Sequence, residues 1–391
     1  MFDKPTIGKI YYSYINLTSE QIYGTIALKK GGNMRFVHIA DMHFDAPFVV
    51  LNSRTNLGEI RRMEQRKALK KVINYIKENN IKYLFIAGDL YENEHIRKTT
   101  IEYINNLFKE IPNTKIFISP GNHDPYLNNS FYNTFAWTKN VIIFSPNTQI
   151  YEGEEVDVYG FAFTDFYCKG MKISEIKIKN KNKLNILLLH GTIDGSIENV
   201  QYNPMKKSEL KQLGFDYIAL GHIHKLDYNS EENQRIVYPG STISLGFDEL
   251  GQHGMIVGNI EKEKVELEFI PIDNKELKEI SVDITEISDK ETLIEQLNNL
   301  QLEENCLYKI ILIGKRKFEI NIYDLYKMNL NTNIVKIKDN TKPDINVEAL
   351  SKENNLKGLF VKEILQEIEK GEIDKSTLEN VLEIGLDILE K

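Results

Sequence analysis

Short apolar runs that stop at metal-competent side chains constrain this chain more than any other feature. "HIADMHF" presents Asp41 and His43, "FIAGDLY" presents Asp89, and "SPGNHDP" presents Asn122, His123 and Asp124. "LLLHGT" carries His190, and "LGHIHK" carries His222 and His224. Five of the eight histidines fall in these places. Runs of this kind alternating with helical stretches build a layered α/β sheet, and sites in open α/β sheets form beyond the carboxyl ends of the strands. Positions from Asp41 to His224 are therefore expected to converge.

The strand candidates are "RFVHIA", "KYLFIA", "KIFISP", "VDVYGFAF", "NILLLH" and "DYIAL". Their near-continuous apolar character predicts burial on both faces. A helix is expected from Glu59 to Lys77, with an apolar face of Leu69, Val72, Ile73 and Ile76. A second helix is expected from Thr100 to Glu110. "GMIVGNIE" and "KVELEFIPI" read as a hairpin that closes the domain. The pattern divides the chain into an extension of uncertain status at 1–33, a main domain at 34–275, a small capping domain at 276–343 and a helical region at 344–391. The cap is expected as a β-α-β unit. In the helical region, Leu359, Phe360, Ile364 and Ile368 form one apolar stripe, and Leu378, Leu382, Ile384, Leu386 and Leu389 another.

Composition narrows the class. No run of about 18 apolar residues is present, so no membrane span is expected. The two cysteines, Cys168 and Cys306, lie far apart without metal-ligand spacing, which fits a reducing cytoplasm. A net charge of -8 does not favour nonspecific polyanion binding. The best basic patches, "KIKNKNK" and "GKRKF", read either as solvated lysines or as contacts to a DNA backbone. Most of the 20 tyrosines and 18 phenylalanines are expected in the core, although such rings also suit base stacking.

The polar groups have a spacing with a reason. In Asp41-x-His43 and His222-x-His224, extended backbone puts both side chains on one face. Glycines in "GD", "GNHD" and "GH" permit sharp turns at the strand ends. Carboxylate, amide and imidazole donors without thiolate suit manganese, iron or zinc. Seven donors exceed one tetrahedral site and suit two metals that share a carboxylate. Each piece alone is weak, because a lone "GD" or D-x-H is commonplace; the ordered series is specific. His38, inside the first strand, reads as a core residue, and His253 as a loop histidine.

The series "ADMHF … GDLY … GNHD … H … GHIH" resembles the calcineurin-like metallophosphoesterase superfamily. "HIADMHFDAPF", "AGDLYE", "YPGSTISLGFDELG" and "LKGLFVKEIL" are similar, more narrowly, to SbcD-type DNA repair exonucleases of the YhaO branch. The resemblance implies a layered β-sandwich flanked by helices, with a small α+β cap and C-terminal helices. It assigns one metal to Asp41, His43, Asp89 and His224, and a second to Asp89, Asn122, His190 and His222, with manganese as the ion. His123 would face the scissile phosphate and protonate the leaving alkoxide. Asp124 would either orient His123 or cap the turn. Nucleases of the archaeal and eukaryotic branch tend to carry a histidine three residues after the bridging aspartate; here that position is Glu92.

The implied function is a two-metal phosphodiesterase, a DNA exo/endonuclease subunit in repair, with an SMC-like coiled-coil ATPase as partner and a homodimer as assembly. The C-terminal helices would pack within the chain or dock on that ATPase. Two other readings stand beside it: a phosphoesterase for a small phosphodiester or phosphoprotein, and a non-catalytic scaffold. The region after Glu279 disfavours the first, since a minimal phosphatase needs no cap. The complete donor set disfavours the second.

Overall fold

The computed structural model describes residues 34–48, 57–194, 202–228, 234–262, 264–371 and 377–390; the expected extension at 1–33 lies outside the described residues. Two compact units emerge. One contains the described residues from 34 to 278 together with Asn305–Leu307, and the other contains Glu279–Glu304 with the rest of the C-terminal part.

The larger unit follows from the apolar runs. β1 (Met34–Ile39), β2 (Tyr83–Ile86), β3 (Lys115–Ile118) and β4 (Val141–Ile143) pair in parallel. A separate five-stranded sheet comprises β5 (Ile150–Glu152), β6 (Val156–Gly160), β7 (Leu184–His190), β8 (Tyr217–Gly221) and β9 (Ile236–Val237), with only β5 antiparallel. The expected hairpin is present as β10 (Gly254–Ile260) and β11 (Val265–Pro271), and β10 adds antiparallel to β1. The first sheet thus has six strands in the order β11-β10-β1-β2-β3-β4.

Alternation along each strand decides what meets what. Phe36, Phe85 and Phe117 of the first sheet share one core cluster with Val158, Ile186, Leu188 and Tyr217 of the second. The rings of Phe36 and Tyr217 stand 4.7 Å apart, so the two sheets are packed directly face to face. Losing a ring such as Phe36 would cost about 3–5 kcal/mol. The outer face of the second sheet buries Leu187, Leu189, Ile218 and Leu220 with Leu210 of α4 (Lys207–Gln212) and Phe215.

Helix α1 (Leu57–Glu78) spans the expected segment, and Leu69, Val72, Ile73 and Ile76 are all buried. Arg61 on the same helix is fully buried and donates to both carboxylate oxygens of Asp273, at 3.0 and 2.7 Å. α2 (Lys98–Lys109) begins two residues before the expected start, and α3 (Phe131–Thr134) is a single turn. Short β4, β5 and β9 lie outside the predicted strands; each has only two or three residues, too few to show a period.

The smaller unit carries a three-stranded sheet in the order β12-β13-β15, formed by Glu276–Asp283, Cys306–Ile313 and Ile334–Asp339. A two-residue pair joins β14 (Lys315–Arg316) to β16 (Lys342–Pro343). α5 (Lys290–Asn298) sits between β12 and β13, with Asp289 as a cap that accepts from the Thr292 amide at 2.8 Å. α6 (Ile322–Lys327), α7 (Val347–Leu350), α8 (Leu356–Glu369) and α9 (Leu378–Glu390) complete it. The stripe on α8 is only partly the expected one: Phe360, Ile364 and Ile368 are half-buried, but Val361 is fully buried while Leu359 is 61% exposed. Gly358 is the reason. It lies so close to the backbone of Leu350 and Glu353 that the Gly358–Val361 edge of the helix faces inward. On α9, Leu382 is buried and Ile384 exposed. Among the described residues no helix is long and apolar enough to cross a membrane.

Candidate metal centre

The loops that follow β1 and β2 are tied to each other. The amide of Asp41 donates to the Gly88 carbonyl at 3.1 Å, and that of His43 to the Asp89 carbonyl at 2.9 Å. Asp41, His43, Asp89 and His222 all hold positive φ, at 51°, 46°, 52° and 99°. Side-chain-bearing residues rarely adopt this region, and four in one place mark stored strain. Two glycines leave room for it. A Cβ on Gly88 (φ +90°) would strike the His190 ring, and one on Gly121 would strike the Asp89 carboxylate.

The seven donor residues expected from the sequence meet in two lobes. In one, Nε2 of His43 lies 3.7 Å from Asp89 Oδ2 and 4.0 Å from Asp41 Oδ1, and Nε2 of His224 lies 3.8 Å from Asp41 Oδ1. In the other, Nε2 of His190 lies 3.1 Å from Asp89 Oδ2 and 2.9 Å from Asn122 Oδ1, and Nδ1 of His222 lies 3.1 Å from the same amide oxygen. Asp89 belongs to both lobes. Groups of three donor atoms, each within 4.8 Å of one another, form around Asp41, His43 and His224 and around Asp89, His190 and His222.

Outer partners fix which nitrogen faces inward. Nδ1–H of His190 donates to the Ala87 carbonyl at 2.9 Å, which turns Nε2 toward Asp89, where a cation would take the place of its proton. His43 Nδ1 is 2.6 Å from Glu92 Oε1, and His224 Nδ1 is 3.3 Å from Glu249 Oε2. With both outer nitrogens facing carboxylates, Nε2 of His43 and of His224 confront each other at 3.1 Å. Burial opposes protonation of His224, but the bond to Glu249 raises it to about 10, so a proton lies between the two nitrogens, and beside buried carboxylates a divalent cation would take that place. The absence of thiolate and the presence of amide and carboxylate oxygen extend that fit to manganese, iron or zinc.

His123 stands at the rim with a half-exposed side chain, its ring 4.8 Å from that of His43. Burial would lower its pKa, but the hydrogen bond to Glu92 prevails and raises it to about 9. Glu92 is held down to about 2, because bonds from His123 and His43 outweigh its burial. His190 is raised to about 9: burial opposes protonation, and Asp89 overrides it. His222 goes the other way, to about 3, through burial and the neighbouring His190. Asp89 lies well below the usual carboxylate range despite burial, chiefly because of His190.

Asp124 takes the second of its two open roles. Its carboxylate is fully buried and accepts from the amides of Gly121 at 2.6 Å, Leu90 at 2.6 Å and Asp89 at 3.1 Å, and from the Tyr132 hydroxyl at 2.5 Å. It clamps the β2 and β3 turns together, whereas the His123 ring bonds to Glu92. Glu92 and Glu249 carried no assigned role in the sequence. Glu92 occupies the position where the resemblance expects histidine, and that departure was its one signal. His253, read as a loop histidine, is indeed outside the strands but buried, with Nδ1 2.8 Å from Ser241 Oγ, whose hydroxyl donates to Glu249 at 2.5 Å. His38 is in the core, as its strand position implies, bonded through Nδ1 to the Tyr217 hydroxyl at 3.0 Å.

Comparison with known proteins agrees with this geometry. Residues 34–226 match the calcineurin-like phosphoesterase family. The chain is 25% identical to the uncharacterised metallophosphoesterase YhaO of Bacillus subtilis over 276 residues, covering 68% of this chain and 67% of that protein. It is 25% identical to the SbcD component of the SbcCD nuclease of Staphylococcus saprophyticus, covering 64% of this chain and 71% of the relative. With the DNA double-strand break repair protein Mre11 of Methanocaldococcus jannaschii it shares 27% identity, covering 84% and 89%. The match over residues 34–226 and the two-lobed donor cluster together support a metal-dependent phosphoesterase of the calcineurin-like kind.

Proposed function

We propose that this protein is a two-metal phosphodiesterase that cuts DNA as the exo/endonuclease subunit of a repair complex, in the cytoplasm, with an SMC-like coiled-coil ATPase and as a homodimer. The observation that carries the reading is the two-lobed donor cluster hinged on Asp89, with His123 at its open rim. The similarity to SbcD of the SbcCD nuclease and to Mre11 supports DNA as the substrate and an ATPase as the partner.

Asp41, His43, Asp89 and His224 would hold one ion, and Asp89, Asn122, His190 and His222 the other, with manganese as the ion of choice. When bound, such ions supply a water of lowered pKa and neutralise phosphoryl charge. The chain supplies the rest. The strained turns after β1, β2 and β8 fix the donors before substrate arrives. His123, kept protonated at neutral pH by Glu92, donates a proton to the leaving alkoxide oxygen as the P–O bond breaks. Asp124 holds the turn that aims it.

The test is hydrolysis of linear double-stranded DNA by the purified protein with manganese. His123→Ala is expected to abolish cleavage while manganese still binds by calorimetry. Cleavage retained in Asp89→Ala would remove the two-metal mechanism, and turnover of a chromogenic diester but no DNA, with or without the ATPase, would assign a small diester instead.

A further inference from the structure

We propose that the cleft beside His123 holds a nucleobase, so that the bond cut lies next to an unstacked nucleotide. This inference rests on the phosphodiesterase reading above and names what flanks the phosphate. The cleft has a volume of about 230 Å³, and Phe166, Tyr167, Tyr202, His123 and the candidate donor Asn122 line it together with Glu92 and Glu94.

A row of rings leads from solvent to the metal centre. Tyr167 is 58% exposed, and its ring centroid lies 6.0 Å from that of Tyr202. Tyr202 in turn lies 5.1 Å from His222, with the two planes 35° apart. An exposed tyrosine face at the mouth of a phosphate-handling centre offers what every base can use, since each base has a π-face of its own.

The shelf is anchored rather than loose. Asn203 is fully buried, and its Nδ2 donates to the His190 carbonyl at 3.0 Å. Its Oδ1 accepts from the Met171 amide at 2.9 Å, and its own amide donates to the Cys168 carbonyl at 2.6 Å. One side chain and one amide therefore tie the loop of Tyr167 and the loop of Tyr202 to the strand that ends in His190. A displacement of His190 would move the shelf with it, which couples the position of the stacked base to that of one candidate donor.

The charge of the lining selects the occupant further. Glu94 repels a second phosphate but accepts from the exocyclic amines and ring N–H groups of a base. A duplex keeps its bases stacked, so the occupant is a terminal, frayed or single-stranded nucleotide.

The test uses the full chain in EDTA, so that binding is read without turnover, and a short single strand carrying 2-aminopurine. The fluorescence should be quenched on binding to the wild type and to Tyr167→Trp. Tyr167→Ala should weaken binding about tenfold, with an unchanged melting temperature. A strand with an abasic site at the same position should bind the wild type as weakly as the base-bearing strand binds Tyr167→Ala, and should lose nothing more in that variant. Equal wild-type affinity for the base-bearing and abasic strands, or an unchanged Tyr167→Ala, overturns the proposal. Manganese-dependent DNA cleavage measured in parallel separates the two readings: cleavage that ignores Tyr167 sinks the cleft alone. Quenching by a 2-aminopurine dinucleotide, without DNA cleavage, keeps the cleft and replaces the nuclease by a small-diester enzyme.

Discussion

The carboxylate of Glu92 accepts from Nδ1 of His123 at 2.9 Å, and this bond leads the contacts that keep the imidazole protonated against its burial. Glu92→Gln removes the negative charge but keeps the shape. His123 then falls from about 9 toward its ordinary value, and the protonated form is lost at lower pH. An acid catalyst works only below its pKa, so the alkaline limb of the kcat profile should move to lower pH. At pH 8 and saturating manganese, which offsets the weakened bond to Nδ1 of His43 (2.6 Å from Glu92), we expect kcat to drop by roughly tenfold or more, with KM little changed, as read by steady-state kinetics across pH.

Glu249 plays the matching part for His224, at 3.3 Å from its Nδ1. Glu249→Gln should weaken manganese binding by about 10–100-fold, the usual cost of losing an outer partner of a histidine ligand. Calorimetry on the chelated and re-titrated protein reads this without any substrate.

Gly88 stands at φ +90°, and a methyl group there would strike the His190 ring. Gly88→Ala should therefore lose metal affinity and thermal stability together, by at least about 1–3 kcal/mol from the backbone alone. A calorimetric melt beside a metal titration checks both. Gly170→Ala, at φ +137° but with nothing within 4 Å of a Cβ, carries the backbone cost alone and so separates the clash from it.

His38 links stability to acidity. It is buried and its pKa is depressed to about 3, with burial as the main cause, against 6.5 in the unfolded chain. The folded form refuses a proton that the unfolded form accepts, so the contribution is complete above about pH 6.5 and is lost as pH falls toward 3. This one group should steepen the loss of stability by up to about 1.4 kcal/mol per pH unit in that window. His38→Gln should flatten the slope in urea titrations carried out from pH 7 to pH 4.

How much of this was legible in the sequence depended on whether a residue sat in a pattern. The strands behind Asp41, Asp89, Asn122 and His190 announced themselves as apolar runs, so the central strands and the hairpin of β10 and β11 were readable, whereas the division into two sheets came only with the resemblance. Convergence was readable too, because strand ends in such sheets gather on one side. Glu92 and Glu249 were not, since a single carboxylate in a loop has no period and its partners come from distant parts of the chain. Asp124 stayed open between two roles because chain adjacency to His123 says nothing of which way a buried carboxylate turns. On α8, helical spacing located an apolar stripe, but Gly358, invisible to a hydrophobicity count, decided which edge turned inward.

The donors come from both layers of the sandwich: Asp41, His43, Asp89 and Asn122 follow strands of the six-stranded sheet, and His190, His222 and His224 follow strands of the five-stranded one. Cations seated among them would rivet one layer to the other. Chelation should accordingly speed amide hydrogen exchange in β2 and β8 at once, so the donor cluster would double as the fastener of the larger unit that houses it.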